Sequence, residues 1–346
     1  MFTAPADLPA SLIGNALADS WSFIATSLQY QPVGFGSHHW LAKDARGAEL
    51  FVTVDDQAMR LHDGADTLEA AFGRLRRALE TASSLRRDAG LRFVVAPVPA
   101  ASGSVVTRLT DRYSLAVHPY LDGAESRPDG TFASRTDRLA VVGLLARLHA
   151  VSQTAAQATP LFVTLPDPDP FAVRLAGELE AAIERTGEAW DGGPYGERAR
   201  ELLARHGRAV AELLAAYDRL AARVAARPER MVITHGQPDG ANVLRTADGF
   251  VFVDWESVLQ APPERDLWDL AEADASVLAD YSALTGTVID HDALRLYRLW
   301  YDLAEISGYI TWFSGSHGDT ADTAEAWRNL QYFLRPAQRW PDLLAG

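Results

Sequence analysis

The sequence predicts an α+β fold of two lobes, an N-terminal five-stranded antiparallel sheet with one helix and a C-terminal helical lobe. Three observations lead to this prediction. Short alternating or β-branched segments separated by Gly-containing turns occupy the first part of the chain, one long helical pattern interrupts them, and helical patterns dominate the remainder. We therefore expect one lobe to comprise residues 1–120 and the other residues 121–346.

The N-terminal lobe begins with a short helical pattern over residues 8–19. Three strand patterns follow from Ser22 to Val54, with breaks at "GFGS" and "ARGA", both of which are turn sequences. Residues 67–87 then carry apolar side chains at helical spacing, and Asp88-Ala89-Gly90 ends that helix. The segments "LRFVVAPV" and "SLAVHPYL" predict the fourth and fifth strands.

The C-terminal lobe follows the Gly/Asp/Pro linker "LDGAESRPDG". Its first helix, "TDRLAVVGLLARLHAVS", has a candidate cap at Ser134 or Thr136. Residues 196–227 predict a long Ala/Leu/Arg helix or a helix pair. A β segment then runs from "MVITHG" to "FVFVDWE" and contains the hairpin turn "TADG", and the chain beyond Glu264 is predicted to be helical.

Composition excludes several classes of protein. The net charge of −14 argues against a nucleic-acid partner and is compatible with a cationic small molecule. The absence of cysteine excludes disulfides and thiolate metal sites. No apolar run has the length of a membrane span, and no basic region precedes an N-terminal apolar segment. We therefore expect a cytoplasmic protein without membrane partners, whereas the oligomeric state stays open.

One constellation in the β segment suits phosphoryl transfer. Asn242 comes seven residues after His235, and Asp254 comes twelve residues after Asn242. The predicted hairpin brings the amide and the carboxylate together at its open end, where they would offer Mg²⁺ two hard oxygen ligands. Glu256 is predicted to share a side of the strand with Asp254, where it could hold a second ion or a metal-bound water.

The segments "ITHGQPDGANVL", "FVFVDWE" and "PPERDLWDL" resemble the aminoglycoside phosphotransferase family, which is related to choline kinases and has a protein-kinase-like fold. The resemblance implies a nucleotide-binding N-terminal lobe and a C-terminal lobe with the catalytic loop and the substrate helices. It also implies Mg²⁺ and ATP, with GTP as an open alternative. By this resemblance, Asn242 and Asp254 are metal ligands, and Asp266 is a buried carboxylate that braces the loop.

The catalytic loop departs from the family pattern at one position. The loop carboxylate of the family would fall at residue 237, where this chain has Gln237. An amide cannot take a proton, but its carbonyl can accept a hydrogen bond from a substrate hydroxyl. Asp239 is a candidate substitute base, and its alternative is a solvated turn residue. His235 belongs to the same catalytic loop, where we expect it to pack and to bond the backbone.

Strand three carries a second departure. Kinase-like folds place there a lysine that holds nucleotide phosphates. This chain has Thr53 near that position, and its single lysine, Lys43, lies on the neighbouring strand. Arg60 and Arg74 are the other candidates, and the sequence does not rank them.

Nucleotide-binding candidates lie in two segments. Gly34 and Gly36 in "VGFGSHHW" permit close approach of the backbone to phosphate, and the side chains that follow could donate to it. In the predicted hinge, "VHPYLDG", backbone groups would face the base, with apolar side chains on both of its faces. The donors are Ser37, His38 and His39, the hinge residues are His118 and Tyr120, and the apolar side chains are Val52, Val95 and Leu244.

Substrate candidates lie in "RLWYDLAEISGYITWF". Asp302, Glu305 and Tyr309 share one face of the predicted helix, near several tryptophans. Carboxylates among aromatic rings suit an amino-sugar or polyamine substrate, and the alternative is a solvated helix face.

The leading function is therefore an ATP- and Mg²⁺-dependent O-phosphotransferase for a small, cationic or sugar-containing, antibiotic-like substrate. Such an enzyme would serve resistance or biosynthesis. Two alternatives are a Ser/Thr kinase for a precursor peptide and a pseudokinase that binds nucleotide or a partner without turnover.

Overall fold

The computed structural model describes residues 1–158 and 169–340. The chain forms two compact units that interleave along the sequence. The first unit comprises Met1–Arg60, Thr67–Pro170 and Glu229–Ile289, and the second comprises Leu61–Asp66, Phe171–Pro228 and Asp290–Gly346. This grouping differs from a division after residue 120, which stays a prediction. No helix in the described ranges is long and apolar enough to cross a membrane.

Within residues 1–158 and 169–340, the strands lie in the first unit and form three sheets. Their bounds are β1 Ala25–Gln31, β2 His38–Asp44, β3 Glu49–Asp56, β4 Thr107–Arg108, β5 Tyr113–Pro119, β6 Val232–Thr234, β7 Val243–Thr246, β8 Gly249–Phe252 and β9 Leu259–Ala261. The main sheet is antiparallel with the order β1-β2-β3-β5-β4. The predicted α+β fold with a five-stranded antiparallel sheet is thus confirmed.

The helices are distributed over both units. Their bounds are α1 Ala10–Trp21, α2 Leu68–Arg87, α3 Arg135–Ala158, α4 Ala176–Glu184, α5 Gly196–Ala225, α6 Glu264–Ala273, α7 Ser276–Thr285, α8 His291–Ser314, α9 Ala321–Phe333 and α10 Pro336–Arg339. The segment 196–227, predicted as one helix or a pair, is a single helix up to Ala225. Of the two candidate caps of α3, Ser134 accepts a hydrogen bond from the N–H of Asp137 at 3.2 Å.

Both faces of the main sheet carry buried apolar side chains. On one face, Val52 and Val54 of β3 pack in a core cluster with Ile13 and Leu17 of α1. On the other face, Ala116 of β5 packs with Leu75 and Leu79 of α2. Since strand side chains alternate between faces, the odd-numbered residues of β3 lie on the α2 side. That alternation decides which candidate residues can share a site.

Helix α2 follows β3, as the sequence predicts. The Thr67 hydroxyl caps it by accepting a hydrogen bond from the N–H of Ala70 at 3.1 Å. Glu69 lies in the first turn, while Arg86 and Arg87 lie in the last, an order that complements the helix dipole.

The predicted fourth strand, residues 91–98, is wrong. This segment forms an isolated bridge to the catalytic hairpin, in which the N–H of Val95 donates to the carbonyl of Phe252 at 2.9 Å, and it bonds the main sheet only through the N–H of Val98, which donates to the carbonyl of Val117 at 2.7 Å. Pro97 has no N–H to offer a ladder, which limits pairing with the main sheet. The fourth strand of the sheet is instead the short β4.

The catalytic segments of the first unit form two small sheets. Strand β6 pairs with β9, and β7 pairs with β8 in the predicted hairpin, whose turn is closed by Thr246 and Gly249. Gly249 has a φ of 114°, a value that favours glycine.

The second unit comprises helices α4, α5, α8, α9 and α10 together with the segment Leu61–Asp66. Helix α9 begins with a capping box in which Thr320 and Thr323 exchange side-chain-to-backbone hydrogen bonds.

Candidate active site

The catalytic loop that follows β6 is held by a buried carboxylate. Asp266, in the first turn of α6, accepts hydrogen bonds from the N–H groups of His235 at 2.8 Å and Gly236 at 2.6 Å. Its Oδ2 also bonds Nε2 of the buried His149 at 3.1 Å, and Nδ1 of that ring bonds the Tyr281 hydroxyl at 2.8 Å. Desolvation opposes ionisation, but the hydrogen bond from His149 lowers the pKa of Asp266 below its ordinary value. Asp266 therefore braces the start of the catalytic loop at His235 and Gly236.

Gly236 is required at its position for two reasons. Its φ is 104°, and a Cβ there would lie 2.5 Å from Nη2 of Arg265. The Arg265 guanidinium also donates to the Thr234 hydroxyl and to the carbonyl of Ser257. Arg265 therefore fixes both sides of the turn, a role that the sequence interpretation missed.

His235 is a structural member of the loop. Its Nε2 bonds the carbonyl of Val253 at 2.8 Å, and its Nδ1 accepts a hydrogen bond from the N–H of Gln237 at 3.3 Å. Desolvation lowers the pKa of this fully buried ring, so the neutral form is favoured. Since both ring nitrogens are engaged, the imidazole is unavailable as a base.

Gln237 and Asp239 contact each other directly. The Gln237 side chain is exposed and donates from Nε2 to Asp239 Oδ2 at 3.1 Å. Asp239 Oδ1 accepts from the N–H groups of Ala241 at 2.9 Å and Asn242 at 3.2 Å, as in an Asx turn. Desolvation raises the pKa of Asp239 above its ordinary value, against these hydrogen bonds. Asp239 therefore shapes the loop and holds Gln237, and its role as a substitute base stays a prediction.

The second half of the loop is clasped by the linker before α3. The N–H of Gly240 donates to the carbonyl of Gly130 at 2.9 Å, and the N–H of Arg127 donates to the carbonyl of Gly240 at 2.8 Å. A Cβ on Gly240 would lie 2.0 Å from the carbonyl oxygen of Thr131. Only glycine therefore permits this close approach.

Asn242 lies at the open end of the β7–β8 hairpin. Its Nδ2 donates to the carbonyl of Gln237 at 3.1 Å, and its own carbonyl accepts from the N–H of Val253 at 2.9 Å. Because the amide nitrogen is engaged with the loop, the side-chain oxygen remains as the donor atom for a cation.

Asp254 and Glu256 follow β8 but do not lie on a strand. The strand ends at Phe252, Asp254 takes a left-handed conformation with φ 62° and ψ 60°, and Glu256 lies in a 3₁₀ turn. The prediction that both side chains share one side of a strand is therefore wrong. They are nevertheless close, since desolvation and the charge of Glu256 raise the pKa of Asp254 well above its ordinary value. The Asp254 residue is exposed to solvent. We call the group formed by Asp55, Arg60, Asp254 and Glu256 the recess.

The oxygen donors suit Mg²⁺ in combination with phosphate. A cation between Asn242 and Asp254 would offset the repulsion between the carboxylates of Asp254 and Glu256, which after desolvation is the main cause that raises the pKa of Asp254. Within the described residues, no three His, Asp or Glu side chains group as a metal site on their own. This fits an ion that takes one or two carboxylates and completes its shell with substrate phosphates and water.

Arg60 joins this recess to the main sheet. It ends the 3₁₀ turn after β3, and its Nη2 donates to Asp55 Oδ1 at 2.5 Å, to Ser37 Oγ at 3.1 Å and to Glu256 Oε2. The charges of Asp55 and Glu256 outweigh desolvation and raise its pKa further. The sequence interpretation missed Asp55. The signal that could have found it is an acidic residue at the end of β3, two positions after Thr53 and therefore on the same face of the sheet.

The other strand-three candidates are engaged elsewhere. Lys43 bonds Glu49 at 3.0 Å with half of its side chain exposed, as a surface pair. Thr53 bonds Nδ1 of His39 at 3.3 Å across the β2–β3 pair. Arg74 donates to the backbone carbonyl of Arg60 at 3.2 Å.

The glycine loop between β1 and β2 has the backbone that its sequence predicts. Gly34 and Gly36 have φ values of 69° and 118°, and nothing lies within 4 Å of a Cβ on Gly36. At the end of the loop, the buried Ser37 donates from its hydroxyl to Asp55 at 2.7 Å. Ser37 therefore lies beside Arg60 on the α2 side of the sheet.

Two predicted nucleotide residues point to the other side of that sheet. His38 is buried, bonds the Tyr30 hydroxyl at 3.1 Å and pairs in register with Val54 of the α1 core. Val52 is fully buried in the same core. Both assignments are wrong because strand alternation sends these side chains toward α1, and His39 is the histidine that lies with Thr53 and Ser37.

The hinge candidates follow β3 in register. His118 lies opposite Phe51 and is half-buried, and Tyr120 is exposed just beyond β5. Desolvation lowers the pKa of His118 to about 4 and that of His39 to about 3. This face therefore carries two neutral imidazoles, and the roles of His118 and Tyr120 toward a base stay predictions.

Asp302 is a structural residue of the second unit. It is fully buried, pairs with Arg298 and Arg339, and accepts from Trp340 Nε1 at 2.7 Å. The expectation that it faces a substrate is wrong, because its oxygens are already satisfied by two guanidinium groups and an indole.

Glu305 and Tyr309 remain substrate candidates. The Tyr309 hydroxyl donates to Glu305 Oε2 at 2.6 Å and accepts from Asn329 Nδ2 at 3.2 Å. Desolvation raises the pKa of Glu305 above its ordinary value, although its tyrosine partner and Arg174 oppose the shift. A half-buried carboxylate with one hydroxyl partner retains acceptor capacity for a ligand.

Comparison with known proteins decides the family. A model of the phosphotransferase enzyme family matches residues 29–297, which include the glycine loop, the catalytic loop and the brace. The chain belongs to this family. It is therefore a small-molecule phosphotransferase that acts on a hydroxyl group.

The chain is also similar to individual proteins. The phosphotransferase is 34% identical over 259 residues to protein StrN of Streptomyces griseus, covering 73% of this chain and 75% of the relative. Spectinomycin phosphotransferase APH(9)-Ia, solved with ADP and spectinomycin, has a TM-score of 0.69 at 13% identity, covering 94% of both chains. Amicoumacin kinase hAmiN, solved with AMP-PNP, Ca²⁺ and Ami, has a TM-score of 0.60 at 11% identity, covering 94% of this chain and 93% of the other. At these identities the solved structures establish a shared fold.

Proposed function

We propose that this phosphotransferase moves the terminal phosphoryl group of ATP, or of GTP, to a hydroxyl of a small cationic or sugar-containing molecule of antibiotic type, with Mg²⁺ as cofactor. The acceptor oxygen gains the bond to phosphorus, the bond to the bridging oxygen of the nucleotide breaks, and the nucleoside diphosphate leaves.

One observation carries the proposal. Asn242 and Asp254 flank the open end of one hairpin, on a loop whose start is held by Asp266. When bound there, Mg²⁺ would neutralise developing charge on the phosphates. The buried carboxylate of Asp266 is fully hydrogen-bonded and fixes the position of this loop, which supports a role for the loop in chemistry.

The acceptor hydroxyl is oriented by an amide in this proposal. Gln237 is held through its nitrogen by Asp239, so its carbonyl oxygen can accept from the hydroxyl. Phosphoryl transfer through a loose transition state depends mainly on positioning, so an orienting acceptor suffices. Since an amide takes no proton, the hydroxyl proton leaves on the transferred phosphoryl group and is released to water.

The substrate class rests on charge and on relatives. Glu305 is a half-buried carboxylate with acceptor capacity, and the net charge of −14 favours a cationic ligand. Two solved proteins of the same fold were crystallised with spectinomycin and with the amicoumacin ligand, which supports an antibiotic-type acceptor.

A second candidate, a nucleotide-binding protein without turnover, is supported by Gln237 and by Thr53, which stands where a strand-three lysine would be expected. The intact Asn242 and Asp254 and the braced loop weigh against it.

The proposal is tested by binding and then by transfer. Thermal shift with Mg·ATP and Mg·GTP is followed by a panel of aminoglycosides, amino sugars, nucleosides and Ser/Thr peptides, with product read by mass spectrometry. Asp254→Asn should lower turnover at least ~100-fold. Asp248→Asn, at the exposed tip of the same hairpin, is the matched control and should leave turnover unchanged.

Each outcome is informative. Transfer to a small molecule that Asp254→Asn removes supports the proposal, whereas transfer to peptides alone replaces the substrate class. Mg·nucleotide binding without transfer to any member of the panel favours the second candidate. A wild-type protein that binds no nucleotide overturns both.

A further inference from the structure

The recess around the candidate metal residues is rich in negative charge. Asp55, Asp254 and Glu256 contribute three carboxylates, and a nucleotide would add its phosphates. Strand β3 offers Thr53 at the position where a lysine would offset this charge, and Thr53 is bonded to His39. A further cation is therefore needed on this side of the sheet.

Arg60 lies where three parts of the recess meet. Its guanidinium touches Ser37 at the end of the glycine loop, Asp55 at the end of β3 and Glu256 beyond the candidate metal ligand. With 19% of its side chain exposed, it remains accessible to a ligand. The hydrogen bond from Arg74 to its backbone carbonyl holds its main chain.

The guanidinium also has unused donors. The three contacts use Nη2, and within the described part of the chain Nε and Nη1 make no hydrogen bond. Nε keeps one N–H group and Nη1 keeps two, and each can donate a charge-assisted hydrogen bond to a phosphate oxygen. Asp55 thus anchors the guanidinium through Nη2 while the other two nitrogens remain free to donate.

We propose that Arg60 binds the nucleotide phosphates in place of a strand-three lysine, an inference that rests on the proposed function. The Glu256 ion pair would link this phosphate site to the metal site, because a cation bound by Glu256 would weaken the hold of that carboxylate on Arg60. The Arg60 guanidinium would then be freer to turn toward phosphate.

The test measures binding rather than turnover. Calorimetry compares Mg·ADP and adenosine, with Mg·GDP and guanosine as the alternative base, for wild type, Arg60→Met and Arg112→Met. Arg112 is the matched control, because it pairs with Asp56, the residue next to Asp55 on the α1 side of β3. Arg60→Met should weaken Mg-diphosphate binding roughly 10- to 100-fold, the worth of a charge-assisted hydrogen bond, and leave nucleoside binding unchanged. Arg112→Met should change neither.

The outcomes separate the two proposals. Equal diphosphate affinity in wild type and Arg60→Met overturns the role of Arg60 while the proposed function stands. A wild type that binds no nucleotide overturns the proposed function and this inference with it. Should Arg60→Met fail to fold, Arg60→Lys keeps the charge without the planar set of donors: diphosphate affinity roughly 3- to 10-fold weaker supports the inference, and unchanged affinity contradicts a contact through several guanidinium N–H groups.

Discussion

Gln237 donates its side-chain amide to Oδ2 of Asp239 at 3.1 Å, and this contact orients the exposed Gln237 at the end of the braced loop. The carboxylate that accepts this bond is itself fixed by the N–H groups of Ala241 and Asn242. At position 237, where the family has a carboxylate, this chain therefore has an amide that Asp239 holds in place.

We expect an anchored amide to position the acceptor without titrating. Gln237→Ala should lower kcat ~100-fold, while kcat between about pH 6 and about pH 9 stays as flat as in wild type. Steady-state kinetics across that range checks it. A wild-type rate that rises with pH through one pKa, with the rise absent in Asp239→Asn, would instead identify Asp239 as the base.

Restoring a carboxylate provides the converse experiment. Gln237→Asp should raise kcat no more than ~10-fold, since phosphoryl transfer gains little from a stronger base. The variant also places a second carboxylate beside Asp239, so some loss of stability is expected. A gain of ~1000-fold, with Asp239→Asn inert, would show that the missing base limits turnover.

The brace at Asp266 predicts a large stability effect. Asp266→Asn directs an amide N–H₂ group at backbone N–H groups that now donate to a carboxylate. We expect the free energy of unfolding at neutral pH to fall by about 2–4 kcal/mol, and Asp248→Asn to change it by less than about 0.5 kcal/mol. Because the pKa of Asp266 is lowered in the folded state, its contribution is lost as pH falls through that lowered pKa. Urea unfolding of both variants at neutral and acidic pH checks the magnitude and its sign.

Two carboxylates of α8 should behave differently. Asp302→Ala leaves Arg298 and Arg339 without their buried partner, so we expect a loss of about 3–5 kcal/mol in the free energy of unfolding. Glu305→Gln should preserve the fold and raise KM for the acceptor about 10-fold. Unfolding curves and acceptor titrations test both, and a stable Asp302→Ala variant with a raised KM would return Asp302 to the substrate site.

Two neutral histidines on the α2 side of the sheet predict acid sensitivity. The pKa values are about 3 for His39 and about 4 for His118, below the ordinary 6.5, because of desolvation. Below about pH 6.5 the unfolded chain therefore binds protons that the folded chain does not, and stability falls as pH decreases toward about 4. Each histidine contributes a slope of at most about 1.4 kcal/mol per pH unit. The double variant with His39→Gln and His118→Gln should show a shallower fall in unfolding experiments, and an unchanged slope would contradict the prediction.

Local patterns predicted much of the fold. The apolar spacing and the capping Thr67 define α2, and the "TADG" turn defines the catalytic hairpin. Each of these signals lies within the element that it predicts, so the sequence alone reveals it. Residues 91–98 were predicted as a strand because their apolar content is high, but they bond mainly the distant hairpin and reach the main sheet with a single backbone hydrogen bond from Val98.

The sequence by itself determined the family, the α+β architecture, and the order of the catalytic loop, hairpin and candidate metal residues. The family follows from the resemblance of these motifs, whereas the architecture and the order of the segments follow from local periodicity and spacing along the chain. Tertiary structure alone decided which face of the sheet each strand residue occupies, assigned Asp302 to the core, and placed Arg60 against Asp55 and Glu256 but Lys43 against Glu49. Both faces of the sheet are covered, one by α1 and the other by α2. The alternation of side chains along a strand divides them into two sets, but the sequence does not tell which set lies on the side of Arg60 and Asp55. Likewise, Arg60 and Glu256 are 196 residues apart, and only the folded chain brings them into contact.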